Sequence, residues 1–222
     1  MSEPARRNAS HGLVRWTAWS VGGRTSSTVA LTCRLMAQSG YPWRLDLAAR
    51  YEVGPEGLVV TQSAVNQSST AAPYAQGAHP YLTLGVPVDE LELTLPAASR
   101  LLTDERLLPV GREQVAGTAY DFARPRLVGD TVFDDALTDL TYEDGRVRVL
   151  LRDPARDLGV ELWADDRCRW LQVFSGEHTP RVRQALAVEP MTAPPDAFRS
   201  GTDLVVLEPG ARFAAQWGIR AR

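Results

Sequence analysis

In the stretch "WRLDLAARYEV", Trp43, Leu45, Leu47, Ala49, Tyr51 and Val53 share one set of alternate positions, and Arg44, Asp46, Arg50 and Glu52 share the other. Side chains change face at every residue of a strand, so this period of two describes a half-buried antiparallel strand. The turn-prone "GPEG" follows, and then "EGLVVTQSAVN", which predicts a hairpin. "STVALTCRL" supplies a strand before it.

The second half keeps the same habit. "RVRVLLRD", "GVELWAD", "WLQVFSG" and "QALAVE" are short strand candidates divided by Gly, Pro and Asp. "ARFAAQWGIRA" alternates Phe213, Ala215, Trp217 and Ile219 with Arg212, Gln216 and Arg220. No long helical period competes with them. "TAPPDAFRSG" suits a single helical turn, and "DELELTLPAAS" favours neither period. Fifteen prolines and seventeen glycines punctuate the strands. Without a repeat or linker, residues 1–222 read as one domain, an all-β, large antiparallel sandwich.

The bulk numbers exclude several classes of partner. Net charge is −3 and the arginines are scattered among acids, so the chain carries no nucleic-acid footprint. No apolar run reaches the ~18 residues that a membrane helix needs. "MSEPARRNASHG" has no apolar signal core, which makes the cytoplasm the expected location. Cys33 and Cys168 stand far apart and read as reduced, packed thiols.

The histidines are His11, His79 and His178, and they form no metal-ligand spacing with each other or with cysteine. What remains is a histidine in the tight segment "GAHPYL" and acids elsewhere, the parts needed for general acid–base chemistry. Glu189 closes the apolar run "QALAV" and precedes Pro190, which favours extended backbone at Glu189. A carboxylate at the end of a buried strand is partly desolvated, so its pKa rises toward that of a useful base. The plain alternatives are an ion pair for Glu189 and a structural hydrogen bond for His79. His178, in "GEHTPR", reads as a turn residue.

Four segments together resemble the aldose 1-epimerase (galactose mutarotase) family. "NASHGLVRW" is similar to the family's segment with a first active-site histidine, "GAHPYL" to its HPYF-type motif, and "VFDDAL" to a segment with a sugar-binding aspartate. "AVEPMTAPPDAF" resembles the EPmT-type motif with the catalytic glutamate, and the order matches. The resemblance implies His79 as general acid and Glu189 as general base. It implies sugar contacts by His11 and Asp134, with Asp135 the neighbour to which the match slips by one. Arg15 and Tyr81 join the substrate-binding set, and Trp16, Tyr81 and Phe174 are candidates for an apolar platform under the sugar.

The implied reaction exchanges the α and β anomers of a hexose such as glucose or galactose by opening and closing its ring. It needs no metal, cofactor or covalent intermediate, and its only partner is the small sugar. The family's usual segment before the "HGL"-like motif, with an "NRI"-type arginine, has no counterpart here, so the resemblance implies a sandwich shortened at its N-terminus. Such a sandwich exposes a sheet edge through which homo-oligomers can form. Two rivals follow: a non-catalytic carbohydrate-binding form of the fold, and a hexose-6-phosphate 1-epimerase. For the second, "HGLVR" resembles an HGFAR-type segment and Arg15 would meet phosphate.

Overall fold

The computed structural model describes residues 3–222. Antiparallel strands dominate it, arranged as two large sheets and one small one. The wider sheet has nine strands. In spatial order they are β1 (Ser20–Arg24), β2 (Thr28–Leu35), β3 (Leu45–Gly54), β4 (Gly57–Asn66), β17 (Arg212–Ala221), β13 (Leu158–Asp165), β12 (Arg146–Asp153), β7 (Glu92–Thr94) and β10 (Arg126–Leu127). The second sheet has six: β6 (Tyr81–Leu82), β15 (Leu186–Met191), β14 (Trp170–Phe174), β11 (Asp134–Leu140), β8 (Ala97–Thr103) and β9 (Pro109–Gln114). β5 (Ala72–Tyr74) and β16 (Val205–Leu207) pair separately. Among the described residues the one α-helix, α1 (Ala197–Ser200), is a single turn in the segment expected to hold it. No described helix is long and apolar enough to cross a membrane.

The alternation in β3 decides its packing. Leu45, Leu47 and Ala49 are buried, while Arg50 and Glu52 are exposed. Val53 breaks the pattern at 60% exposure because it lies at the tip of the β3–β4 hairpin, beyond the reach of the core. The hairpin closes with Gly54 opposite Gly57. Gly57 has φ +90, and a Cβ there would fall 2.2 Å from the Ile219 carbonyl oxygen, so the turn needs glycine on two counts.

The main core lies between the two large sheets. Val147, Val149, Leu151 and Leu162 of the wide sheet face Leu137, Leu171, Val173, Leu186 and Val188 of the narrow one, all fully buried. Each such side chain contributes roughly 1.5–3 kcal/mol through removal from water. The wide sheet extends past the narrow one at β1–β4. There a second cluster, with Cys33, Leu35, Tyr41, Leu45, Leu47 and Tyr74, packs beneath β5 and β16. A cleft of about 800 Å³ opens beside it, and the chain segment before β1 crosses that cleft. Both thiols are free and buried.

Candidate active site

The site is built on the face of the narrow sheet that looks away from the core. In β15, Leu186 and Val188 point inward, so Ala187 and Glu189 point outward. Cross-strand register then fixes the neighbours. Glu189 pairs with Gln172, which pairs with Ala136; Ala187 pairs with Phe174, which pairs with Asp134. On the other side Ala187 pairs with Tyr81, and the Val188 amide donates to the Pro80 carbonyl. Extending that register by two residues sets His79 beside Glu189. His79 Nε2 lies 3.2 Å from Glu189 Oε1.

The segment leading to His79 passes close to β15: Gly77 bridges to Met191, and a Cβ at Gly77 would lie 3.2 Å from Met191 Cγ.

Electrostatics follow from burial. Glu189 is buried, and desolvation together with the nearby Asp134 charge pushes its carboxyl up to about 8. His79 is held below the usual histidine value by desolvation and by the charges of His11 and Arg15, against an opposing backbone hydrogen bond. At neutral pH these shifts favour the proton on Glu189 over His79.

The other expected residues gather around the pair. The His11 ring centroid is 5.3 Å from that of His79. Its backbone is left-handed, φ 62, a region histidine tolerates better than most residues. Burial first, then Arg15, lowers its pKa. Tyr81 stacks on His79, with centroids 4.9 Å apart and planes 24° apart. Asp134 accepts a hydrogen bond from Gln172 Nε2 at 2.9 Å, and desolvation raises its pKa. Asp135 turns away and binds Arg100 Nη1 at 2.6 Å, so strand alternation puts Asp134, the better match of the two, on this face. Arg15 lines the cleft with His11 and His79, and its guanidinium rests 4.7 Å over the Trp16 ring. Trp16 is 84% exposed and is no platform in this arrangement. His178 is exposed, near Asp134 only through its charge.

Two contributors escaped the sequence reading. Gln172 occupies the alternate position of "WLQVF" that faces the site, and its signal was a lone amide in an apolar strand. Arg106 holds the segment before β1: its Nε donates to the Arg6 carbonyl at 2.9 Å, and its Nη2 donates to the Arg7 carbonyl and to Asn8 Oδ1 at 3.2 and 3.0 Å. Nothing in the sequence marks a bond across about a hundred residues. Among the described residues no three His, Cys, Asp or Glu side chains converge as metal ligands do.

The family model described as Aldose 1-epimerase matches residues 2–220. A protein of Escherichia coli K12, "Uncharacterized protein YihR", is 36% identical over 212 residues, covering 95% of this chain and 67% of its own length. The "Maltose epimerase" of Levilactobacillus brevis is 28% identical, covering 84% of this chain and 62% of its own length. The chain thus spans about two thirds of these curated relatives. Among solved structures, a galactose mutarotase-like protein from Clostridium acetobutylicum superposes with a TM-score of 0.85 at 16% identity, covering 100% of this chain and 71% of that one. That likeness is one of fold.

Proposed function

The chain belongs to the aldose 1-epimerase family, and we propose that it interconverts the α and β anomers of a hexopyranose through the His79–Glu189 pair. The observation that carries this reading is the 3.2 Å contact between a histidine nitrogen and a desolvated carboxylate, on one sheet face and at the positions matching the family motifs.

A cyclic aldose is a hemiacetal. Ring opening takes the proton from the C1 hydroxyl and delivers one to the ring oxygen. Glu189 as carboxylate accepts the first proton, and His79 as imidazolium donates the second. Rotation about C1–C2 exposes the other carbonyl face, and closure reverses both transfers. The resting pair already holds the one proton this requires. A neutral acid beside a neutral imidazole has the same proton count as the ionic pair, so a shift across 3.2 Å readies the site without solvent. His11, Asp134 and Gln172 supply hydrogen bonds to sugar hydroxyls, and the Tyr81 ring supplies a surface for a C–H face. Two buried free thiols suit work in the reducing cytoplasm.

Polarimetry on freshly dissolved α-D-glucose tests the reading. Equilibration faster than buffer is expected. A rate equal to buffer, with sugar still bound, would leave carbohydrate binding as the function. A second reading rests on Arg15, whose charge reaches both His11 and His79 in the cleft. A guanidinium there suits a sugar with an anionic substituent such as phosphate. A higher kcat/KM for glucose 6-phosphate than for glucose, lost in Arg15→Gln, would favour it.

A further inference from the structure

In β4 the alternate positions Val60, Gln62 and Ala64 share the inner face of the wide sheet, and Gln62 interrupts an apolar row. Its cross-strand neighbours are Ala49 and Ala215, whose small side chains leave it room. A polar group in such a place costs stability unless it is hydrogen-bonded. Both ends of this one are. Gln62 Oε1 accepts from Trp217 Nε1 at 3.1 Å, and Gln62 Nε2 donates to the Gly77 carbonyl at 3.3 Å. An indole can only donate and a carbonyl can only accept, so the group between them must do both. An amide meets that demand.

The Gly77 carbonyl lies two residues before His79, and it faces away from β15. Strand alternation gives β15 the Gln76 carbonyl, which accepts from the Thr192 amide at 2.9 Å, and the Ala78 amide, which donates to the Pro190 carbonyl at 3.1 Å. The carbonyl between them points the other way, toward β4. Gln76 adds a second tie on that side: its Nε2 donates to the Gln62 carbonyl at 3.4 Å, and its Oε1 accepts from the Tyr74 hydroxyl at 2.7 Å. The ladder after His79 is short, since β6 has two residues. The segment that carries the histidine is therefore held by β15 on one edge and by Gln62 on the other.

We propose that Gln62 is a positioning residue for His79: oriented by Trp217, it holds the Gly77 carbonyl and so sets the histidine ring against Glu189. This rests on the anomer-exchange reading of the site. Polarimetry on α-D-glucose compares the unaltered chain with Gln62→Met, which keeps the length of the side chain and loses both bonds. Misplacing a reacting group by ~1 Å costs about 10²-fold, so a smaller displacement should lower kcat about tenfold. KM should stay within about twofold, because the sugar contacts are untouched. Trp217→Phe removes the indole N–H and keeps a ring. It should lower kcat about threefold, and the double variant should be no slower than Gln62→Met alone. Gln216→Leu is the control: its amide bonds Thr61 on the outer face of the same strands, and kcat should stay within about twofold.

A raised KM with kcat unaltered would make Gln62 a sugar contact and overturn the proposal, as would no change in either. Losses that multiply in the double variant would overturn the role of Trp217. If Gln62→Met does not fold, Trp217→Phe decides alone, and only a fall in kcat without a rise in KM upholds the proposal. Should the unaltered chain turn over no glucose, the activity reading fails separately, and NMR titration of the His79 ring decides the positioning. That ring is faced by Glu189, His11 and Tyr81, with the charge of Arg15 nearby. Its midpoint lies below 6.5 in the unaltered chain, chiefly through burial. It should rise toward 6.5 in Gln62→Met as the ring leaves that place; an unmoved midpoint overturns the proposal.

Discussion

The two histidines of the site are held in opposite ways. His79 belongs to the ladder: its chain is bonded to β15 on one side and its ring rests between Glu189 and Tyr81. His11 belongs to an arm, residues 3–19, that joins neither large sheet and is tied down by Arg106 through three acceptors on Arg6, Arg7 and Asn8. A sheet distributes the position of a residue over many bonds, so one lost contact moves it little. An arm concentrates it in a few. The acid–base pair sits on the sheet with Asp134, Gln172 and Tyr81, whereas His11 and Arg15 sit on the arm.

The largest effects are expected on the ladder side. His79→Asn and Glu189→Gln should each cost about 10²–10⁴ in catalysed anomer exchange, read by polarimetry, with the β-sheet circular dichroism spectrum retained. If Glu189→Gln keeps most activity, the base is elsewhere. On the arm side, His11→Ala should cost about tenfold, roughly one lost hydrogen bond to the sugar. Arg106→Ala is the sharper test of the contrast. It touches no part of the pair, yet it should reproduce much of the His11→Ala loss, chiefly in KM. An unaltered KM beside an impaired His11→Ala would mean that the arm is held by something other than Arg106.

Stability supplies a subtler effect. The folded pKa of Glu189 is raised from 4.5 to about 8. Between those values the unfolded chain has released a proton that the folded chain retains, so stability falls as pH rises through this window. Glu189→Gln removes that penalty. It should melt several degrees higher than the unaltered chain at pH near 8, and the difference should vanish near pH 4. A difference independent of pH would show that the carboxyl is not desolvated. Smallest of all, His178→Ala should keep activity within about twofold, since that exposed side chain reaches the site only through its charge on Asp134.

The same contrast explains what the sequence disclosed. Alternation in β3, β4 and β17 was legible because one face of each is wet and the other is dry. Glu189 was legible through the motif resemblance of "AVEPMTAPPDAF", since the residues alone left an ion pair open. β1, "SVGGR", was not legible: it is exposed throughout and has a single large apolar side chain, so no face is marked. Gln172 looked like an ordinary polar residue until the register set it beside Glu189. The match preferred Asp134, and the strand shows what one residue of slip would do: it exchanges the site for the Arg100 ion pair of Asp135. Arm contacts made by Arg106 leave no periodic trace.

The most direct test is the pH dependence of kcat/KM for anomer exchange, from about pH 5 to about pH 9.5, in the unaltered chain and in Glu189→Gln. Catalysis requires one proton on the pair. The lower limb therefore comes from protonation of His79, below its ordinary 6.5, and the upper limb from loss of the Glu189 proton near 8. The account predicts a plateau between these limits and a decline on both sides, with Glu189→Gln near the buffer rate throughout. A profile that rises through a single ordinary carboxylate limb and stays level to the alkaline end would contradict it.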